Sequence, residues 1–257
     1  MKKIIDITGP LYNGMWNYEP PFPVFDMQPL PQVDWIDTNV YCEVFSGLHS
    51  QSGTYLETPA HVLGYEKSYP LSKIGLEKLV DIPCTVLKVK TLTPDETGRA
   101  PITAEALVAC EASFLPHSAI LVCCDWGKKW KDRDFLSASP YFTKDAMEYL
   151  IAKKPFLHFQ ILLVGSDIPR WENPEKHQGF FPDFFGAGIL LASPFVHLEK
   201  ITSLSPRLTI LPLNVENTCC APVRAFVWDQ EVKTKSRVTI FTEEKLKNAK
   251  INSQKYP

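Results

Sequence analysis

Two largely apolar segments of strand length constrain the fold of this chain more than any other feature. They cover residues 119–124 and 159–165. Runs of this length and composition are typical of strands buried on both faces of a sheet. Between them, Thr143 begins a predicted helix that continues through Leu150. A strand, a helix and a strand at this spacing favour a crossover unit, so the sequence predicts an α/β fold.

The rest of the chain is predicted to alternate short elements with ordered loops. Residues 12–33 are rich in proline and aromatic residues, a composition that forbids a helix but is too aromatic for disorder. Residues 170–185 form a second aromatic segment, which we expect to border a pocket. Further strands are predicted at residues 2–8, 40–48, 85–89, 189–191, 209–213 and 223–227, and helices at residues 76–79 and 103–112. One domain is predicted over residues 1–240, followed by a Lys-rich tail over residues 241–257.

Charge and cysteine usage narrow the classes of partner. With 27 Lys and Arg against 29 Asp and Glu, the net charge is -2, so no basic field recruits nucleic acid or an anionic membrane. No segment reaches membrane-spanning length, and we expect a soluble, cytoplasmic protein with a small-molecule substrate or ligand. The seven cysteines include two adjacent pairs and no Cys-x-x-Cys, which favours reduced thiols over disulfides or a structural zinc site.

Residues 48–61 hold the densest group of polar side chains suited to chemistry. That group comprises His49, Gln51, Tyr55, Glu57 and His61. Gly53 frees the backbone for a positive φ, and Pro59 removes an N–H and disfavours a helix through this stretch. Glu57 and His61 are therefore predicted to meet at a corner between a strand and a loop, a typical place for a functional site.

This stretch resembles the signature of the cyclase family of metal-dependent hydrolases, which includes bacterial kynurenine formamidases and isatin hydrolases. The family pattern is His-x-Gly-Thr-His-x-Asp-x-Pro-x-His. The chain keeps Gly53, Thr54, Pro59 and His61, and it carries Gln51, Tyr55 and Glu57 where the family has metal ligands. Weaker matches to family segments follow in the same order at residues 6–8, 125–127, 165–167 and 221–225. The resemblance implies a single domain with a mixed β-sheet and flanking helices.

The resemblance also implies a metal site, to which this sequence is poorly suited. Family members bind zinc or manganese through the signature ligands together with a later histidine and a later glutamate. Those later positions correspond to Phe181 and Ser193 here. An amide, a phenol and an aliphatic hydroxyl are poor zinc donors, so no cofactor is expected, with zinc or manganese as the alternative.

Three hypotheses follow for the site. In the first, a hydrolase without a metal acts on the C–N bond of a small amide or lactam, or on a lactone, with His61 and Glu57 as a proton-transfer pair. Its substrate-binding residues are predicted to be Trp16, Gln51, Tyr55, Trp126 and Phe181. In the second, the same fold is a non-catalytic small-molecule-binding or scaffold protein. In the third, His49, Glu57 and His61, with His177 or a cysteine, form a rebuilt metal site.

Two further expectations concern the cysteines at residues 219 and 220 and the assembly. Either Cys219 or Cys220, with Cys220 preferred, is a candidate nucleophile with His61 as its base. The alternative for both is an inert, buried thiol. The aromatic N-terminal loop suits a subunit interface, and the family resemblance likewise implies a homo-oligomer.

Overall fold

A mixed β-sheet that closes on itself forms the centre of the molecule in the computed structural model, which describes residues 2–90, 93–110, 119–153 and 163–230. Its strands are β1 (Lys2–Asp6), β4 (Tyr55–Glu57), β5 (Ile82–Lys88), β7 (Ala119–Cys123), β9 (Leu163–Ser166), β10 (Leu190–Ser193), β11 (Arg207–Pro212) and β12 (Cys220–Gln230). Two small sheets lie outside it and pair β2 (Asp26–Pro29) with β3 (Glu43–Ser46) and β6 (Pro101–Ile102) with β8 (Tyr141–Phe142).

The strand pairing explains both the mixed character and the closure. Strands β5, β7, β9 and β10 are parallel neighbours in that order. Strand β4 is antiparallel to β10 and also to the start of β12, while β11 is antiparallel to β12 and to β5. Seven strands thus form a barrel-like ring, and β1 extends it along β12. The predicted mixed sheet is confirmed.

Helices are few and short in the described part of the chain. They are α1 (Ala60–Leu63), α2 (Ala104–Val108), α3 (Lys144–Ala152) and α4 (Phe181–Gly186). The parallel pairing of β7 with β9 across α3 confirms the predicted crossover unit. None of these helices has the length and apolar character that crossing a membrane requires.

Two apolar clusters cover the two faces of the sheet. Because side chains alternate along a strand, Leu121 contributes to the cluster that also holds Leu56 and Ala192. Its neighbours in β7 contribute instead to a second cluster, which holds the buried residues of α2, α3 and α4. The strands and the helices both contribute buried residues to this second cluster, among them Leu107, Ile120, Val122, Met147, Val164, Phe184 and Phe185. Helix α4, which carries part of the functional site, is therefore fixed by packing against the sheet.

Three local predictions need correction. The proline-rich segment 12–33 was predicted as a loop, but it contains β2, whose partner β3 lies within the strand predicted at 40–48. A helix was not expected in the signature, yet α1 begins directly after Pro59, which serves as its N-cap. Segment 170–185 was predicted as a loop, but it ends in α4, where Pro182 occupies the first turn that tolerates proline.

Some predicted elements fall outside the described residues. These are residues 159–162 of the strand predicted at 159–165, residues 111–112 of the predicted helix, and the Lys-rich tail at 241–257. The extent of the domain over residues 1–240 stays a prediction.

Thr54 links three parts of the chain through its buried hydroxyl. Its Oγ1 accepts a hydrogen bond from the Gly9 backbone N–H at 2.9 Å and donates one to the Pro194 carbonyl at 2.6 Å. The preceding residue, Gly53, has φ +67°, and an added Cβ would lie 2.6 Å from Leu11. The sequence Gly-Thr is therefore required by backbone geometry and by hydrogen bonding, independently of any catalytic role.

Replacing Thr54 with valine is expected to lower the free energy of unfolding by about 2–4 kcal/mol, because it leaves a buried N–H and a buried carbonyl without partners. Urea unfolding monitored by circular dichroism measures the change. Thr54→Ser keeps the hydroxyl and is the matched control. An unchanged free energy of unfolding in Thr54→Val would show that these hydrogen bonds do not stabilise the junction.

Candidate functional site

Pairing between β4 and the start of β12 brings the signature, residues 51–61, next to Cys219 and Cys220. Glu57 pairs with Cys220 in the register of these strands, and the Thr58 N–H donates to the Cys219 carbonyl at 2.8 Å. The chain then turns at Pro59 into α1, which places His61 beside the end of β4. The site is therefore assembled by a contact between residues more than 150 positions apart in sequence, such as Cys219 and His61.

Glu57 is the buried centre of this group, with only 3% of its surface exposed. Its Oε1 accepts a hydrogen bond from Gln51 Nε2 at 2.5 Å, and it lies 3.6 Å from His61 Nε2 and 3.8 Å from Cys220 Sγ. Burial raises the pKa of the Glu57 carboxyl, and this effect outweighs the contacts with His61, Gln51 and Cys220, which favour the carboxylate.

His61 lies between Glu57 and Cys219. Its Nε2 faces the carboxylate, and its Nδ1 is 3.8 Å from Cys219 Sγ. The contact with Cys219 raises the pKa of His61, burial opposes this rise, and Glu57 adds to it. In turn, the hydrogen bond with His61 lowers the pKa of the Cys219 thiol. Both shifts favour a charged pair in which the imidazole holds the proton.

A cavity of about 310 Å³ opens over Glu57 and His61. Its walls are mainly aromatic and are formed by Tyr18, Phe22, Tyr55, Trp171, Phe181 and Phe185. Its polar lining consists of Gln51, Glu57, His61, Arg170, Glu172 and His177. Five residues predicted from the sequence, namely Gln51, Tyr55, Glu57, His61 and Phe181, are thus brought together around one space.

Two predicted aromatic residues lie elsewhere. Trp16 packs against Trp130 and Phe135, each with its ring centroid 5.2 Å away, in a separate apolar cluster. Trp126 donates its indole N–H to the Phe135 carbonyl at 2.9 Å and lines a different, larger cavity of about 980 Å³. The prediction that Trp16 and Trp126 line the substrate pocket needs correction, because side chains in both loops pack on Phe135 instead.

The preferred nucleophile also needs correction. Cys220 is 2% exposed, and its thiol donates to the Ser50 carbonyl at 3.1 Å. Burial raises the pKa of Cys220 well above the ordinary thiol value, and the neighbouring Glu57 adds to that rise. Because the thiolate is the reactive form, Cys220 is poorly suited to nucleophilic attack.

His49 is directed away from the cavity. Its Nε2 is 3.2 Å from Asn17 Oδ1, its Nδ1 accepts from the Gln51 backbone N–H, and its ring packs on Phe22 at 4.9 Å. Burial lowers the pKa of His49. His49 is therefore not placed to bind a metal ion together with Glu57 and His61, the other two ligands of the hypothetical metal site.

Segment 170–185 borders the cavity as expected, but the predicted substrate-binding residues did not include Tyr18 or Trp171, which line it. The Tyr18 hydroxyl lies 2.9 Å from the Tyr55 hydroxyl and donates to the Pro169 carbonyl at 2.8 Å. Trp171 is 3% exposed, and its buried indole N–H has no hydrogen-bond partner among the described residues. The aromatic composition of the segments that hold them was the only signal available, and it did not distinguish them from their neighbours.

The residues at the family's ligand positions do not fit a metal ion. The Tyr55 hydroxyl is engaged with Tyr18, the Ser193 hydroxyl donates to the Ile168 carbonyl, and Phe181 has no donor atom. The Gln51 amide is committed to Glu57, which leaves one carboxylate and one imidazole. In the described residues, no three or more His, Cys, Asp and Glu side chains are arranged to hold an ion. This donor set differs in kind from a zinc or manganese site.

Glu57 is expected to make stability depend on pH. Because burial raises its pKa, the folded protein binds this proton more tightly than the unfolded chain does. Its contribution is most favourable below the unfolded pKa of about 4.3 and declines as the pH rises through the folded-state pKa. Glu57→Gln removes the group that causes this decline. The free energy of unfolding of the variant, relative to that of wild type, should therefore increase with pH.

Urea unfolding of both proteins from about pH 4 to about pH 8 measures this difference. The same comparison with Glu66→Gln, at an exposed carboxylate outside the cavity, is the control. A wild-type advantage that grows with pH would contradict a raised pKa at Glu57.

Comparisons with known proteins agree with this architecture. The model of the Cyclase family, described as "Putative cyclase", matches residues 5–173, which is more than half of the chain. No curated protein matches the chain. The comparison with solved structures gives several similar folds, all at low sequence identity.

One is an isatin hydrolase bound to the product analogue thioisatinate, with a TM-score of 0.68, 21% identity and coverage of 90% of this chain and 93% of that chain. Another is isatin hydrolase A from Ralstonia solanacearum, with a TM-score of 0.69, 19% identity and coverage of 89% and 92%. A third is a potential metal-dependent hydrolase with cyclase activity, with a TM-score of 0.66, 20% identity and coverage of 90% and 100%. The shared fold and the family match confirm the resemblance drawn from the signature, and the chain belongs to the cyclase family.

Proposed function

We propose that this protein is a hydrolase of a small amide, lactam or lactone, with arylformamidase-type chemistry at the C–N bond. The observation that carries the proposal is the contact of His61 Nε2 with the buried Glu57 carboxyl at 3.6 Å inside an aromatic cavity. A carboxyl group that orients an imidazole is a recurrent arrangement in general acid–base catalysis. The family to which the chain belongs supports hydrolysis as the reaction class.

Proton transfer is assigned to His61 in this proposal. The imidazole removes a proton from the attacking group and delivers it to the leaving nitrogen or oxygen as the C–N or C–O bond breaks. Glu57 orients the ring and stabilises its protonated form, while Gln51 holds the carboxyl by the hydrogen bond at 2.5 Å. No step requires the metal ion for which this donor set is unsuited.

Substrate binding is assigned to the aromatic walls and to Trp171. The rings of Phe181 and Phe185 lie 5.9 Å apart and are nearly parallel, at 17°, which favours a flat, apolar ligand beside them. Trp171 contributes a buried ring to the wall of the cavity. Two of the similar structures are isatin hydrolases, which supports a cyclic aromatic lactam or its open amide as the substrate class.

Turnover separates this proposal from a non-catalytic binding protein. We expect purified protein to hydrolyse at least one member of a panel of N-aryl formamides, bicyclic aromatic lactams and aromatic lactones, followed by liquid chromatography. The same panel tested by thermal shift reports binding. Stabilisation by these compounds without hydrolysis of any of them would overturn the proposal in favour of the binding protein.

We further propose that the protein forms a homo-oligomer through its N-terminal arm, defined as residues 24–48. The sheet of β2 and β3 in this arm pairs with no other strand of the described chain, and an isolated two-stranded sheet is marginally stable in water. The arm exposes large apolar side chains, among them Trp35 at 77%, Tyr41 at 81% and Phe45 at 55%. A second copy of the chain would cover this surface.

Phe45→Glu is therefore expected to shift the molecular mass measured by light scattering from an oligomer towards a monomer. Leu76→Glu, at a side chain that is 65% exposed outside the arm, is the matched control and should keep the wild-type mass. A monomeric wild-type protein, or an unchanged mass for Phe45→Glu, would refute the interface.

A reducing compartment such as the cytoplasm is the proposed location, because all seven cysteines are unpaired and Cys42 is exposed. Imaging of a fluorescent fusion tests this location, and secretion of the fusion would contradict it.

A further inference from the structure

We propose that Cys219, His61 and Glu57 form a nucleophilic triad in which Cys219 Sγ takes the acyl group of the substrate. This inference rests on the proposed function and names the attacking atom of the same site. The imidazole contacts the thiol through Nδ1 at 3.8 Å and the carboxyl through Nε2 at 3.6 Å. A nucleophile on one ring nitrogen and an orienting carboxyl on the other is the arrangement that activates serine and cysteine nucleophiles.

The fold distinguishes Cys219 from its neighbour Cys220. Successive side chains alternate at the start of a strand, so Cys220 is buried next to Glu57 while Cys219 is half-buried and contacts His61. The backbone of Cys219 is held by the hydrogen bond from the Thr58 N–H to its carbonyl at 2.8 Å. Cys219 therefore combines a fixed backbone with an accessible sulfur, and a nucleophile needs both.

The electrostatic surroundings of Cys219 support its reactivity. The hydrogen bond with His61 lowers the pKa of the Cys219 thiol, against the opposing effects of burial and Glu57. Cys123, Cys124 and Cys220, by contrast, have pKa values raised by burial. Among these thiols Cys219 has the environment of a reactive cysteine.

Cys219 does not line the cavity. Its sulfur lies 3.8 Å from Nδ1 of His61, and the His61 ring does line the cavity. The His61 side chain is 35% exposed, so the edge of the cavity is open at this ring. In the triad, a substrate whose ring occupies the aromatic part of the cavity presents its carbonyl at this edge, beside His61 and Cys219.

The reaction balances in two halves. In the first, Cys219 thiolate bonds to the carbonyl carbon, the C–N bond breaks, and the leaving nitrogen takes the proton from the His61 imidazolium, which leaves a thioester and neutral His61. In the second, His61 removes a proton from water, the new hydroxide oxygen bonds to the thioester carbon, and the C–S bond breaks. The products are the acid and the amine, and the thiolate–imidazolium pair is restored.

The test uses p-nitrophenyl acetate as an acyl donor with the full-length protein. We expect a burst of p-nitrophenolate, and an acetyl group that peptide mapping places on Cys219. Cys219→Ser should lose the burst and reduce the rate of acylation by roughly 10³-fold or more. Cys42→Ser, which removes an exposed cysteine outside the cavity, is the matched control and should keep both.

Two outcomes would overturn the triad. One is acetylation of Cys42 or of lysines at the same rate as Cys219. The other is wild-type amide hydrolysis by Cys219→Ser, which would leave the proposed hydrolase standing with water as the direct nucleophile. Conversely, selective acetylation of Cys219 in a protein that hydrolyses no amide, lactam or lactone would support the triad and refute the proposed function.

The pH dependence of alkylation by iodoacetamide distinguishes a thiol activated by His61 from a cysteine that has only a structural role. Cys219 should be alkylated at a lower pH than a free thiol such as N-acetylcysteine, and His61→Gln should remove that advantage. Groups facing the thiol are His61, Tyr65 and, through His61, Glu57. An alkylation profile of Cys219 that is unchanged by His61→Gln would contradict activation by the imidazole.

Discussion

Replacing His61 with alanine is expected to lower kcat by about 10²–10⁴-fold, the range typical of a general acid–base residue. The imidazole is the only group in the described site that contacts both the Glu57 carboxyl, at 3.6 Å, and the Cys219 thiol, at 3.8 Å. Its removal disconnects the carboxyl from the reacting groups and removes the proton donor for the leaving nitrogen. Steady-state kinetics on the substrate found in the panel measure the loss.

Stability should change little in this variant, because the His61 side chain is one-third exposed. Circular dichroism and urea unfolding check that His61→Ala remains folded. The control is His197→Asn, which replaces an exposed histidine with φ +61°, a conformation that asparagine tolerates, outside the cavity. Unchanged turnover in His61→Ala would exclude His61 from the mechanism.

Replacing Phe184 with alanine is expected to lower the free energy of unfolding by about 3–5 kcal/mol. This side chain is completely buried, and its ring packs against Phe185 at 5.2 Å and Trp171 at 5.7 Å. Its loss leaves a cavity between α4 and the sheet. For a protein of this size the expected fall in Tm is roughly 6–20 °C, measurable by scanning calorimetry.

Phe181→Ala on the same helix is the matched control. Phe181 lines the functional cavity and is only half-buried, so its removal should cost less stability and instead raise KM. Together the two variants separate the stability of α4 from its contact with substrate. Similar falls in Tm for both would show that α4 is not anchored through Phe184 alone.

The sequence predicted the parallel part of the sheet because largely apolar runs of strand length identify strands that are buried on both faces. The first run forms β7, and the described end of the second, residues 163–165, belongs to β9, which is the parallel neighbour of β7. Closure of the barrel was not predictable in the same way. It depends on β4, a strand of three residues, pairing with β12 about 160 positions later. So short a strand has no periodic signal, and its partner is chosen by tertiary packing.

The site was predictable where neighbours in sequence are also neighbours in space. Gln51, Glu57 and His61 lie within eleven positions and meet around one carboxyl oxygen. Trp16 and Trp126 were misplaced because aromatic composition does not reveal which cluster a ring joins. The preference for Cys220 over Cys219 failed for a related reason, since which of two adjacent side chains faces His61 depends on strand register.

We propose that this site hydrolyses its substrate without a bound metal ion, and the metal dependence of turnover tests this most directly. The measurement is the turnover rate of wild-type protein after exhaustive chelation and again after addition of zinc or manganese, with metal content per chain determined in parallel. We predict that the chelated protein retains its rate and that neither ion binds stoichiometrically. Loss of turnover on chelation, restored by one bound ion per chain, would contradict this account and identify Glu57 and His61 as ligands.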